Sequence, residues 1–130
     1  MVIESCGTAV RGIRGATTVE VDEKEAIISA TEELLEQICQ VNEFDPAEIA
    51  SAFFTVTHEL TTTFPAEAAR KRGWTMVPML CATEIPVPGS LPMCIRVLIH
   101  LNTNKRPDEI RHVYLQRAVA LRPDWSGGKA

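Results

Sequence analysis

The most regular stretch of the chain is Cys94–Leu101, where Ile95, Val97, Ile99 and Leu101 alternate with Cys94, Arg96, Leu98 and His100. A period of two predicts a β-strand with one apolar face. A different spacing governs Ile27, Thr31, Leu34, Ile38 and Val41, which recur at intervals of three and four. That spacing predicts an amphipathic helix over residues 22–42, with Asp22 and Glu25 in capping-box positions at its start. Upstream, Ala9–Ala16 interleaves small and apolar residues with arginine, and Gly12 and Gly15 mark two places of close backbone approach in a strand.

Asp45-Pro46 is a second helix-start signal, with proline at the first helical position; it leads into Ser51–Thr57, which reads as a strand. Pro65–Lys71 is a short helix by propensity, preceded by three threonines able to cap it and stopped by Gly73. Trp74–Cys81 is expected to be a strand broken near Pro78, and Glu84–Pro92 a proline-punctuated loop. Arg106–Glu109 reads as a turn or short helix, and Val113–Leu121 as a final strand with room for a bulge. Five strand candidates interleaved with one long and two short helices predict a single mixed α/β or α+β domain.

Composition narrows the class. At 130 residues, 45% hydrophobic and 23% charged, with a mean hydropathy of +0.02, the chain matches a soluble one-domain protein. Arg96, His100 and Glu84 interrupt its apolar runs, so none approaches the roughly 18 residues of a membrane span. The N-terminus carries Glu4 and no apolar core of a secretory signal, so a cytoplasmic location is expected. Cys6, Cys39, Cys81 and Cys94 form no C-x-x-C, and the three histidines show no metal-ligand spacing. Free thiols and no metal are expected.

The net charge of −4 gives no support for nucleic-acid binding. Its distribution is uneven: eleven of the seventeen acids lie in residues 1–48 beside only three bases. Nine of the thirteen basic residues are arginine, whose planar fork suits carboxylate or phosphate, so a small organic anion is a reasonable ligand. Arg96 sits mid-strand, where a guanidinium needs either a partner such as Glu84 or a ligand. Glu84 follows a strand end, where site acids and merely solvated carboxylates both occur. Tyr114 is the single tyrosine. No G-x-S-x-G, Walker loop or G-x-G-x-x-G is present, so acyl transfer and nucleotide chemistry lack their usual parts.

Five segments taken in order carry a more specific signal. Gly12-Ile-Arg-Gly-Ala-Thr-Thr-Val-Glu20, Phe64-Pro-Ala66 with Arg70, Cys81 with Glu84, Cys94-Ile-Arg-Val97, and Ile110-Arg-His-Val-Tyr-Leu115 followed by Leu121-Arg-Pro-Asp124 together resemble the monofunctional AroH-class chorismate mutases. The resemblance implies a chorismate mutase domain over residues 10–124, an N-terminal extension over 1–9 and a mobile tail over 125–130. It implies an isomerase that converts chorismate to prephenate, on the route to phenylalanine and tyrosine, without cofactor or metal. It also implies a barrel-like homotrimer with active sites between subunits, and no nucleic-acid or membrane partner.

Carried over position by position, the carboxylate-binding arginine falls on Arg14 and the tyrosine that assists it on Tyr114. The arginine at the breaking ether oxygen falls on Arg96, and the acid at the ring hydroxyl on Glu84, with Cys81 nearby. Phe64, Ala66 and Arg70 match the segment supplied by a neighbouring subunit, and Leu121 and Arg122 the start of a C-terminal cover. Glu67 and Leu80 depart from the family pattern, where lysine and threonine are expected. Two other readings share parts of this signature: a trimeric enamine/imine deaminase-like enzyme, and a non-catalytic trimer that binds a small anion for regulation.

Overall fold

The structure is a computed structural model that describes residues 7–121; Cys6, Arg122 and the tail over 125–130 lie outside the described residues. Five strands, β1 (Ala9–Thr18), β2 (Ile49–Val56), β3 (Met79–Thr83), β4 (Cys94–Thr103) and β5 (Val113–Tyr114), form one sheet in the order β3-β2-β4-β1-β5. β4 runs antiparallel to β1 and β2, while the edge strands β3 and β5 pair in parallel with β2 and β1. Helices α1 (Lys24–Asn42) and α2 (Ala66–Lys71) cover one face.

The alternation of β4 has the expected outcome. Ile95, Val97, Ile99 and Leu101 are buried on the helix side, whereas Arg96, Leu98 and His100 on the opposite face are only half-buried. The main core joins Ile13, Phe54, Val97 and Ile99 of the sheet to Leu34, Leu35 and Ile38 of α1, with Ala66, Ala69 and Trp74 closing its flank. Gly15 is the point of closest approach. A Cβ built there would lie 2.7 Å from Ile38 Cδ1 and within 3.3 Å of Leu34 and Val97 methyl carbons. Gly12 differs from expectation, since a Cβ there would meet only Leu98 Cδ1, at an ordinary 3.5 Å.

Several local expectations are corrected. The last inward position of α1 is Asn42, not Val41, because the 3.6-residue period carries the buried stripe from Ile38 to Asn42 and leaves Val41 exposed. Asn42 donates through Nδ2 to the carbonyls of Ile38 (3.0 Å) and Arg111 (2.9 Å) and accepts from the Arg111 N–H (2.9 Å). It thereby ties the end of α1 to the segment entering β5. Trp74–Val77 is no strand: Trp74 is buried in the main core, and pairing to β2 starts only beyond Pro78. Val113–Leu121 extends as a strand for two residues only, then turns at Gln116, whose φ of 54° diverts the chain into a 3₁₀ segment, Gln116–Leu121.

The Asp45-Pro46 start signal holds, with Asp45 and Glu48 forming a capping box, but the capping expected of Asp22 and of the three threonines fails, for one reason. Asp22 makes no cap to α1; its carboxylate accepts from the N–H and hydroxyl of both Thr61 and Thr62, at 3.0–3.3 Å. Two of the three threonines expected to cap α2 are therefore committed to Asp22. The third, Thr63, donates to Glu67 (2.8 Å), whose other oxygen lies 3.5 Å from Lys24 Nζ. Gly73 does end α2, at φ 96°. Asp22 and Lys24 together hold the loop that presents Phe64.

Two outcomes follow from this packing. Gly15→Ala should lower stability by about 1–3 kcal/mol through overpacking, while Gly12→Ala should stay within about 0.5 kcal/mol of wild type; urea melts measure both, and a Gly15→Ala protein as stable as wild type would contradict the close approach. Desolvation works upward on the Asp22 carboxyl, but the bonds from Thr62 and Thr61 outweigh it and hold the group below its ordinary value of 3.8. A depressed folded-state value means stabilisation that is complete above the ordinary value and lost as pH falls through the depressed one. The stability gap between wild type and Asp22→Asn should thus be present at neutral pH and close in that acid window; a gap that stays constant with pH would remove Asp22 from this role.

Candidate active site

Sheet register assembles the site. Ala16 of β1 pairs with Tyr114 of β5 on one side and Arg96 of β4 on the other; Arg96 pairs onward with Thr55 of β2, and Thr55 with Ala82 of β3. One continuous row therefore crosses the helix-free face. The next row on that face carries Arg14, Leu98, Phe53 and Leu80. Because Ala16 contributes only a methyl group between Tyr114 and Arg96, the face is hollow there. The resulting cleft of about 270 Å³ is lined by Arg14, Ala16, Phe53, Thr55, Glu84, Arg96, Leu98 and Tyr114.

Each polar group is held by its own device. The Arg14 N–H donates to His112 Nδ1 (3.0 Å), so the imidazole side chain continues the β1–β5 pairing one residue beyond the backbone ladder. Tyr114 is buried with Ala16, Cys94 and Ala118, and Leu121 packs against this cluster. Glu84 stands just past β3, where its N–H donates to Val56 O (2.8 Å), and its Oε2 accepts the Thr55 hydroxyl. The same Oε2 lies 3.4 Å from Arg96 Nε. That contact is coulombic only, since the buried Nε–H finds no hydrogen-bond acceptor among the described residues.

The electrostatics favour an anion. Arg14 and Arg96 line the cleft against one acid, Glu84, and the buried Arg96 Nε–H has no acceptor among the described residues. Cys94 lies behind Arg96 and is fully buried. Burial pushes its thiol up, and the nearby Arg96 guanidinium only partly opposes this, so the group is a neutral thiol and not a nucleophile.

Four of the expected site residues thus come together: Arg14, Glu84, Arg96 and Tyr114. Phe64 and Cys81 line a different cleft of about 310 Å³, bounded by Leu60, Thr61 and Thr83. Cys81 pairs with Phe54 and packs toward the main core, away from the first cleft. Ala66 is buried in that core, and Arg70 is exposed on α2. Sequence reasoning missed Thr55, Ala16 and His112. Ala16 and His112 stand inside the family-like segments without a role there, Thr55 stands in a plain strand segment, and the pairing register is what assigns all three to the site.

Comparison with known proteins is consistent over nearly the whole chain. The family description Chorismate mutase type I matches residues 10–125. The chain is 57% identical over 116 residues to Chorismate mutase AroH of Thermus thermophilus, covering 88% of this chain and 95% of that one. It is 46% identical over 118 residues to Chorismate mutase AroH of Bacillus subtilis (strain 168), covering 90% and 93%. Among solved structures, a chorismate mutase from Clostridium thermocellum superposes with a TM-score of 0.83 at 46% identity, over 84% of this chain and 97% of that one. With a family match spanning the sheet, both helices and every residue of the cleft, the chain belongs to the type I chorismate mutases.

Proposed function

We propose that the cleft between β5 and Glu84 is where this chorismate mutase carries out its isomerisation of chorismate to prephenate. The observation that carries this assignment is that the buried Nε–H of Arg96, a residue lining the cleft beside Arg14, lacks an acceptor among the described residues. The rearrangement breaks a carbon–oxygen bond as a carbon–carbon bond forms, within one molecule. It needs no proton transfer and no covalent intermediate, in keeping with a cleft whose nearest thiol is held neutral.

What the protein supplies is conformation and charge. Arg14 and Tyr114 hold a substrate carboxylate and select the compact chair-like conformer. Arg96 offers a fixed positive charge where the ether oxygen gains negative charge as its bond breaks. Glu84 accepts from the ring hydroxyl and offsets the local cations. Neither the deaminase-like reading nor the regulatory one is favoured, given 46–57% identity to chorismate mutases over most of the chain.

Phe64, Ala66 and Arg70 belong, in this reading, to a second half-site that a neighbouring subunit brings to the cleft, covered by Leu121 and Arg122, while Cys81, expected beside Glu84, lines the same surface as Phe64. Three observations support a shared site. Phe64 and Cys81 line a cleft of their own, Arg70 points to solvent, and Phe53 and Leu80 leave apolar surface exposed beside the first cleft. Complementary halves on one chain make a head-to-tail contact, and three such contacts close a homotrimer. The free thiols of Cys39, Cys81 and Cys94 suit a cytoplasmic setting.

Arg96→Ala should lower kcat about a hundred- to a thousandfold (roughly 3–4 kcal/mol) with a smaller change in KM. Loss of chorismate absorbance measures it; an unchanged kcat with raised KM would make Arg96 an anchor instead. For the shared site, Arg96→Ala and Arg70→Ala chains are each verified as inactive trimers and then co-refolded in equal amounts. Random assembly leaves about a quarter of sites with both arginines, so activity should recover to that fraction. Activity equal to the parental average in mixed trimers identified by mass spectrometry would place the whole site within one chain.

A further inference from the structure

We propose that Thr55 is a positioning residue for the rearrangement, whose hydroxyl keeps Glu84 and Arg96 from closing into a hydrogen-bonded ion pair. Thr55 sits directly opposite Arg96 in the β2–β4 register and beside Ala82 in the β2–β3 register, two residues before Glu84. Its hydroxyl donates to Glu84 Oε2. That is the carboxylate oxygen nearest Arg96 Nε, at 3.4 Å. With Oε2 engaged by Thr55, the guanidinium keeps its coulombic neighbour and yet retains an N–H without a hydrogen bond. Oε1 of Glu84 accepts no hydrogen bond among the described residues, so the carboxylate is fixed with one oxygen committed to the sheet and one left for a ligand.

The chemistry explains why such a spacer matters. An arginine and a carboxylate in contact gain most from a two-pronged, charge-assisted pair, which occupies both groups at once. Here each group has separate work: the guanidinium at the ether oxygen and the carboxylate at the ring hydroxyl. The Thr55 hydroxyl gives Oε2 a donor other than the guanidinium. Removing the donor frees Oε2 to turn onto Arg96 and withdraws positive charge from the ether oxygen. The loss would fall on the transition state more than on substrate binding. This inference rests on the roles assigned above to Arg96 and Glu84.

Thr55→Val keeps the β-branched shape of a strand residue and removes only the hydroxyl, and Thr55→Ser restores it. We expect Thr55→Val to lower kcat about tenfold with little change in KM, and Thr55→Ser to return to within about twofold of wild type. In a Glu84→Ala background no pair can form, so adding Thr55→Val should have no further effect. Trimer mass and melting temperature accompany each measurement, and Thr55→Ala serves as the second variant if Thr55→Val misassembles. Wild-type kcat in Thr55→Val, or an equal loss with and without Glu84, would overturn the role of Thr55 alone. Unchanged kinetics in Glu84→Ala would instead overturn the reading of Glu84, and the spacer with it.

Discussion

The pairing register of β1 against β4 is the constraint on which the rest of this molecule depends. It sets Ile13 opposite Ile99 and Gly15 opposite Val97 under α1, and in the same stroke sets Arg14 opposite Leu98 and Ala16 opposite Arg96 on the other face. A slip of one residue would send the arginines into the apolar core and the isoleucines into the cleft. Core packing therefore enforces the site geometry. The close fit of Gly15 under Ile38 locks that register from the helix side, and the methyl group of Ala16 leaves the hollow on the other.

Much of this was readable before any coordinates. The alternation in Cys94–Leu101 put Arg96 on the polar face of a strand, and burying a guanidinium without a partner is costly enough to make that residue conspicuous. The partner suggested for it, Glu84, is indeed its neighbour, although through a coulombic contact with no hydrogen bond. What escaped the sequence were choices between competing partners. Asp22 stands in a capping position but finds four donors in a loop about forty residues away, and Thr61 and Thr62 stand where they would cap α2 but serve Asp22 instead. Thr55 looks like any β-branched strand residue until β2 is laid beside β4. Local patterns state what a residue can do, and long-range pairing selects which of those options is used.

The placement of charge follows the same logic. A catalyst for a rearrangement within one molecule has no leaving group to protonate and no nucleophile to prepare, so its evident resources are shape and fixed dipoles. Building these on strands holds them more firmly than loops would. Arg14, Arg96 and Thr55 all lie on strands with neighbours on both sides, and Glu84 is anchored by its own N–H to Val56 immediately beyond β3. Arg14 and Arg96 stand diagonally on adjacent strands, offset by two residues in the register, a spacing that the backbone ladder fixes.

Tyr114 is the exception. It rides on β5, an edge strand with only two residues in register, retained by the imidazole of His112, the amide of Asn42 and the Leu115 N–H bonded to Ala16 O (2.9 Å). Such an edge is held by fewer backbone bonds than the antiparallel centre of the sheet, although its release also withdraws Val113 from the main core and breaks the Asn42 bonds to Arg111. Amide protons of β1 and β4 would then exchange with solvent only through global unfolding, and that of Leu115 through a smaller, more frequent opening. Arg96 thus stands on the most firmly paired part of the sheet and Tyr114 on the least, so the two walls of one cleft differ in how tightly the fold holds them.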